Sequence, residues 1–238
     1  SVEGEPGVRV SCDADARTIT IEDDGIGLTA EEAAEHLGTI ARSGTSAFAD
    51  ALKEKGENPD ALIGQFGVGF YSAFMVADEV TVESLSALPD AGAIVWKSDG
   101  GEGYELTEGS REQRGTSITL KLREDAADFA DNDALRSIVR KHSDFVPWPV
   151  LIDDEQVNRA KAIWAQSPSE VSDEDYTDLY KHVAGDWQEP MTRLHIRAEG
   201  TLQFNAILFV PQNRPWQLDR LDYKVGVQLF QKGVKVLD

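Results

Sequence analysis

Asp23-Asp24-Gly25-Ile26-Gly27 and, after 36 intervening residues, Gly64-Gln65-Phe66-Gly67-Val68-Gly69 are the stretches on which the fold turns. The first interrupts an alternating run through Ile19 and Ile21. It is followed by Thr29-Ala30-Glu31-Glu32, a capping box opening a helix with Ala33, Ala34 and Leu37 on one face. Glycines at a strand end let a flat ligand approach the backbone, because no side chain intervenes. The Asp23 carboxylate can accept a hydrogen bond from an exocyclic amine. A bond to a charged acceptor contributes about 1.5–3 kcal/mol, enough to select adenine from other bases. The same residues also read as a plain tight turn, since Asp-Gly is common turn chemistry. Glu31 and Glu32 suit a helix N-terminus, where acidic side chains are favoured without any acid–base role.

The second stretch opens a helix through Ser72, Phe74 and Val76. Backbone N–H groups at a helix start attract anions. No Lys-Ser/Thr follows the last glycine, so it is not a Walker loop. Its glycine order reverses that of the dinucleotide fingerprint. Alone it reads equally well as a flexible hinge.

Outward from these stretches, Val8, Val10 and Cys12 alternate, turn at Asp13-Ala14-Asp15 and return through Ile19 and Ile21, a hairpin signal. Residues 80–84, 93–97 and 117–122 alternate as strands, with a long glycine-rich loop over 98–116. Residues 133–143 predict a helix with Leu135, Ile138 and Val139 inward, and Pro147-Trp148-Pro149 forces an extended path. Mostly antiparallel strands with helices on one face predict a two-layer α/β sandwich. The acidic stretch 153–157 is the expected linker, dividing a first domain over 1–152 from the start of a second α/β domain over 158–238. There, Ser172 caps a helix through Tyr176, Leu179, Tyr180 and Val183 that ends at Gly185. Strands are expected over 194–198, 203–210, 225–230 and 234–237.

The chain of 238 residues carries a net charge of −20. Residues 1–152 hold 29 acidic and 13 basic side chains, against 14 and 10 in 153–238. Such acidity repels nucleic acid and anionic membrane, so neither is an expected partner. No apolar run approaches the roughly 18 residues of a membrane span. One cysteine, Cys12, excludes an internal disulfide and a cysteine-rich zinc site, and four scattered histidines outline no metal cluster. The opening Ser1-Val2-Glu3 lacks an initiator Met and a signal peptide, and Val236-Leu237-Asp238 lacks a terminating cap, so an internal fragment is expected. Trp148, Trp164, Trp187 and Trp216 are expected mainly as buried packing residues rather than a client-binding surface.

The two glycine clusters, with Gly115-Thr116 entering a strand at Ser117, together resemble the ATP-binding fold of gyrase, 90-kDa heat-shock chaperones, histidine kinases and mismatch-repair ATPases (the GHKL or Bergerat fold). Longer matches at 23–29, 37–45 and 63–76 single out the heat-shock protein 90 family in its bacterial, high-temperature protein G type. Asn158-Arg159-Ala160-Lys161-Ala162-Ile163-Trp164 resembles the start of that family's middle domain. Residues 173–176, Phe204–Pro211 and Pro215-Trp216 fit as well.

The resemblance implies that Asp23 binds the adenine amine, with Gly25 beside it and Ile26, Gly27 and Leu28 as pocket wall. The family usually has Met where Leu28 stands. Thr116 would reach the same water network. Gly64, Gln65, Phe66, Gly67, Val68, Gly69 and Phe70 would surround the phosphates. Residues 38–64 would form a mobile lid carrying Arg42. Leu37 lies at its edge, and His36 stands where most members have a nucleotide-holding asparagine. The catalytic glutamate and Mg²⁺-ligating asparagine are expected upstream of Ser1, and the γ-phosphate arginine beyond Asp238. No catalytic or metal-binding residue is therefore assigned within the chain.

The function implied is an ATP-dependent chaperone using ATP/ADP and Mg²⁺. It would act on unfolded or partly folded client proteins, with room for co-chaperones, as a cytoplasmic homodimer joined through a C-terminal domain not present here. The 238 residues alone are expected to be inactive in hydrolysis. A non-hydrolysing interaction module on the same fold is the alternative. The match over 157–238 and the lack of a phosphoacceptor helix argue against a topoisomerase or histidine kinase.

Overall fold

The computed structural model describes residues 6–38, 69–101, 103–200, 203–214 and 226–237. The chain divides into two compact units, Ser1–Ala160 and Lys161–Asp238.

In the first unit, β1 (Val8–Asp13) and β2 (Thr18–Asp23) form the expected hairpin. Its turn is held by Ala16 N–H donating to Asp13 Oδ1 at 2.8 Å. The capping box at Thr29 opens α1 (Ala30–His36). The stretch after the glycine loop forms a 3₁₀ helix, Phe70–Met75, rather than a longer α-helix. Then follow β3 (Ala77–Leu85), β4 (Ile94–Ser98), β5 (Glu105–Glu108) and β6 (Gly115–Leu122). Strand β5 lies inside the region expected to be only loop. There Leu106 packs on the core opposite Trp96, and one such anchor suffices for a short edge strand.

After β6 come α2 (Asn132–His142), β7 (Val150–Ile152) and β8 (Glu155–Gln156). Together the strands make one sheet in the order β5-β4-β3-β6-β2-β1-β7-β8. It is antiparallel except for the parallel pair β1–β7. Helices cover one face through Ala33, Leu37, Phe70, Phe74, Leu135 and Val139. The α/β sandwich is thus as expected. One helix residue departs: Ile138, expected inward, is 40% exposed, because only Leu135 and Val139 of that stripe reach the sheet.

Residues 153–157 are not a linker. Asp153 and Asp154 adopt positive φ and turn β7 into β8, while Val157 is buried in the core. Asn158, expected to begin the second domain, is buried in the first unit. Its Oδ1 accepts from Val150 N–H at 2.8 Å, and its Nδ2 donates to the carbonyl of Trp148 at 3.0 Å. These bonds place the division after Ala160.

The second unit contains α3 (Asp173–Ala184), capped by Ser172 and ended by Gly185 at φ 63°. Beside it are the antiparallel pair β9 (Pro190–Ala198) and β10 (Phe204–Pro211), and the hairpin β11 (Leu229–Gln231) and β12 (Val234–Leu237). Residues 226–228, expected within a strand, precede β11. Two tryptophans contradict the expectation of burial: Trp148 is 52% and Trp187 92% exposed. Trp148 lies between two prolines that hold the chain extended, and Trp187 follows the cap that ends α3. Trp164 is half-buried, stacked on Phe230 at 4.8 Å; Trp216 lies outside the described residues.

Candidate functional site

Directly opposed residues of antiparallel strands present their side chains to the same sheet face. Across β2, β6 and β3 the register aligns Ile19–Leu120–Val80, then Ile21–Ile118–Val82, then Asp23–Thr116–Ser84. The first two rows are apolar and belong to the core. The third is polar and occurs where the strands end. Thr116 and Ser84 are nonetheless buried, Ser84 completely. A buried polar row at the edge of an apolar face must be satisfied internally or by a ligand.

Backbone geometry brings the loop after β2 tightly onto this row. Gly27 has φ +64°, and a Cβ there would stand 2.0 Å from the Leu85 carbonyl oxygen. Gly115 has φ +109°, and a Cβ there would stand 2.1 Å from the Asp23 carbonyl oxygen. Only glycine meets both conditions at either position. Ala87 N–H donates to the Ile26 carbonyl at 2.7 Å, and Leu28 N–H donates to Ser84 Oγ at 2.8 Å. Gly25 N–H donates to Asp23 Oδ1 at 2.7 Å, which fixes the carboxylate while using one of its several lone pairs.

The next residue, Asp24, is held by Arg9: Nη2 donates to Oδ1 at 2.6 Å and Nη1 to Oδ2 at 3.2 Å. The hydrogen bonds to Asp24 raise the guanidinium pKa, outweighing the burial that lowers it. This fork anchors the carboxylate beside Asp23 to β1, leaving Asp23 at the strand end.

The other expected residues fall into three groups. Ile26 is exposed, and Leu28 packs partly on the core. His36 and Leu37 close α1. His36 Nδ1 is buried without a hydrogen-bond partner among the described residues, whereas the Leu37 carbonyl accepts the Tyr71 hydroxyl at 2.9 Å. Burial raises the Tyr71 pKa, so that hydroxyl keeps its proton. Gly69 begins the 3₁₀ helix, and Phe70 packs edge-on against Trp96 at 5.6 Å. Tyr71 thus links the end of α1 to the start of the segment after the glycine loop. Arg42, Gly64, Gln65, Phe66, Gly67 and Val68 lie outside the described residues.

Sequence reasoning missed Ser84, Arg9 and Tyr71. Ser84 had a signal: it continues the inward phase of Val80 and Val82, where an apolar residue would be expected. Arg9 and Tyr71 are defined by contacts 15 and 34 residues away and carry no local signal.

Residues 7–96 match the model of histidine kinase-, DNA gyrase B- and HSP90-like ATPases, and residues 151–238 match that of the Hsp90 protein family. Alignment with "Chaperone protein HtpG" of Escherichia coli O1:K1 gives 43% identity over 250 positions, covering 99% of this chain and 40% of the relative. The proteins of the same name from strains E24377A and K12 are 42% identical with the same coverage. The chain belongs to the Hsp90 family. It spans about 40% of the length of these curated relatives. The first unit is the GHKL-type ATPase fold, and its polar row lies within and just beyond the matched ATPase segment. Among the described residues no helix is long and apolar enough to cross a membrane.

Proposed function

We propose that this Hsp90-family chain carries the adenine-nucleotide site of an ATP-dependent chaperone that assists the folding of client proteins. One observation carries the reading: the Asp23–Thr116–Ser84 row, closed by two glycine backbone contacts, offers a fixed carboxylate at the end of a strand. Asp23 would accept the exocyclic amine of adenine. Gly27 and Leu28 would border the base, with Gly25 and Ile26 on the exposed rim. Thr116 would meet the base edge directly or through water. Gly64 to Phe70, with Arg42, would serve the phosphates, and His36 and Leu37 the edge between the two regions.

Among the described residues no group of three His, Cys, Asp or Glu side chains could hold a metal ion. Mg²⁺ keeps several waters and binds through one or two side chains plus phosphate oxygens, so it would reach this site with the nucleotide. Residues 1–160 would form the nucleotide domain, and 161–238 would belong to a middle domain. Client proteins follow from the chaperone name of the relatives; cytoplasmic residence, co-chaperones and homodimerisation belong to this proposal through the family resemblance alone.

The test is calorimetric titration of the purified protein with ADP. Asp23→Asn should bind about 10–150-fold more weakly, the equivalent of 1.5–3 kcal/mol, with an unchanged circular dichroism spectrum. Equal affinities would remove Asp23 from the site.

A further inference from the structure

The proton count around Ser84 assigns it a role in base selection. Its Oγ makes three contacts: Leu28 N–H at 2.8 Å, the Gly115 carbonyl at 3.1 Å and Thr116 Oγ1 at 3.0 Å. A hydroxyl has one proton and two lone pairs. Leu28 N–H can only donate, so it occupies one lone pair. The Gly115 carbonyl can only accept, so it requires the Ser84 proton. The third contact must then run from the Thr116 hydroxyl to the remaining lone pair of Ser84. The opposite assignment would send the Ser84 proton to Thr116. It would leave two oxygens facing each other at 3.1 Å in a fully buried place, which costs the desolvation of both.

The consequence falls on Thr116. Its proton is spent inward, so any ligand or bridging water meets a hydroxyl that offers lone pairs only. Asp23, in the same row, also offers lone pairs only when ionised. We propose that Ser84 is a positioning residue that locks Thr116 as an acceptor, making the Asp23–Thr116 edge selective for a base that brings a donor there. This rests on the nucleotide reading above. A 6-aminopurine supplies a donor at C6; a 6-oxopurine presents a carbonyl there, and buried acceptor would face acceptor. Sites built around fixed hydrogen-bond groups discriminate strongly, because the wrong partner leaves those groups unpaired.

The test is calorimetric titration of the wild-type protein, Ser84→Ala and Ser84→Thr with ADP and with IDP, which differ only in the base. Wild type should favour ADP. In Ser84→Ala the Thr116 proton loses its inward acceptor and can turn to the base. The ratio of IDP to ADP dissociation constants should then fall by roughly two- to tenfold, the size of one hydrogen bond. Ser84→Thr keeps the hydroxyl and should keep the wild-type ratio.

A purely structural role would weaken both nucleotides alike, so an unchanged ratio in Ser84→Ala overturns the proposal. So does a ratio that falls equally in Ser84→Thr. If Ser84→Ala does not fold, Ser84→Cys replaces it. A thiol is a weak donor and acceptor, so the ratio should again fall, and no change again overturns the assignment. Failure of the wild type to bind either nucleotide would refute the nucleotide reading itself, and this proposal with it.

Discussion

In the eight-stranded sheet, Val80, Val82 and Leu122 on β3 and β6 are almost wholly shielded from water; in the β9–β10 pair, Leu194 and Leu208, directly opposite each other, are each 55% exposed. Both regions read as alternating strands. In the first unit the helices complete a second layer over the apolar face. In the second, α3 covers the opposite face of β9–β10. Tyr180 packs on Phe209, Tyr176 hydrogen-bonds His195 Nδ1 at 2.7 Å, and Arg193 lies over the Tyr176 ring. Alternation assigns residues to faces, but a second layer decides which face becomes core. The first unit is therefore held mainly by apolar rows. In the second, polar ties around α3 carry a larger share.

The largest effect that can break this contrast comes from truncating one leucine on each side of it. Leu122→Ala removes a fully shielded side chain and should cost about 2–5 kcal/mol. Leu208→Ala should cost no more than about 0.5 kcal/mol, as for an exposed position. Urea unfolding followed by circular dichroism compares them. Equal costs would mean that the Leu194–Leu208 face is covered in solution, and the contrast would fail.

A smaller effect sharpens the second half of the contrast. In the box at Ser172, Asp175 N–H donates to Ser172 Oγ at 3.1 Å and Ser172 N–H donates to Asp175 Oδ2 at 3.2 Å. Ser172→Ala should cost about 1 kcal/mol and speed amide exchange over 173–184 about fivefold. Exchange over β3 should not change. If α3 keeps its protection, the cap is dispensable and packing alone holds that helix.

Much of this was legible in the sequence because it is local. The hairpin at 8–21, the Thr29 box, the Ser172 and Gly185 caps and strands β3, β4 and β6 each depend on residues within a few positions of one another. Asp23 and Thr116 were reached by motif, and the register then placed them side by side. What was missed is non-local or weakly coded. Strand β5 has one anchoring leucine. The acidic run at 153–155 has linker composition, yet Asp153 and Asp154 are a hairpin turn, Glu155 already pairs in β8, and the flanking Ile152 and Val157 are core. Ser84 was in plain view within an alternating strand, but its three partners come from residues 28, 115 and 116. Local pattern cannot show which chains will meet at a serine.

The smallest effect is a pH dependence confined to the second unit. The Lys161 ammonium, 2.8 Å from Asp175 Oδ1, and the Ser172 hydroxyl together hold the Asp175 pKa down to about 2. A carboxylate whose pKa is lower in the folded chain adds stability that is fully present above its unfolded pKa of about 3.9. That stability is lost as pH falls through the folded value. The window is therefore about pH 4 to 2, with the helix weaker at the acid end. The Asp175 side chain is 30% and that of Lys161 50% exposed, so solvent screens the ion pair and the effect is small. Asp175→Asn keeps an acceptor for the cap but cannot titrate. Amide exchange over 173–184, recorded for both proteins across that window and corrected for intrinsic rates, should show wild type better protected at pH 4 and the difference closing towards pH 2. A constant difference across the window would show that Asp175 contributes through the shape of the cap alone, and that the charge of Lys161 plays no part in holding α3.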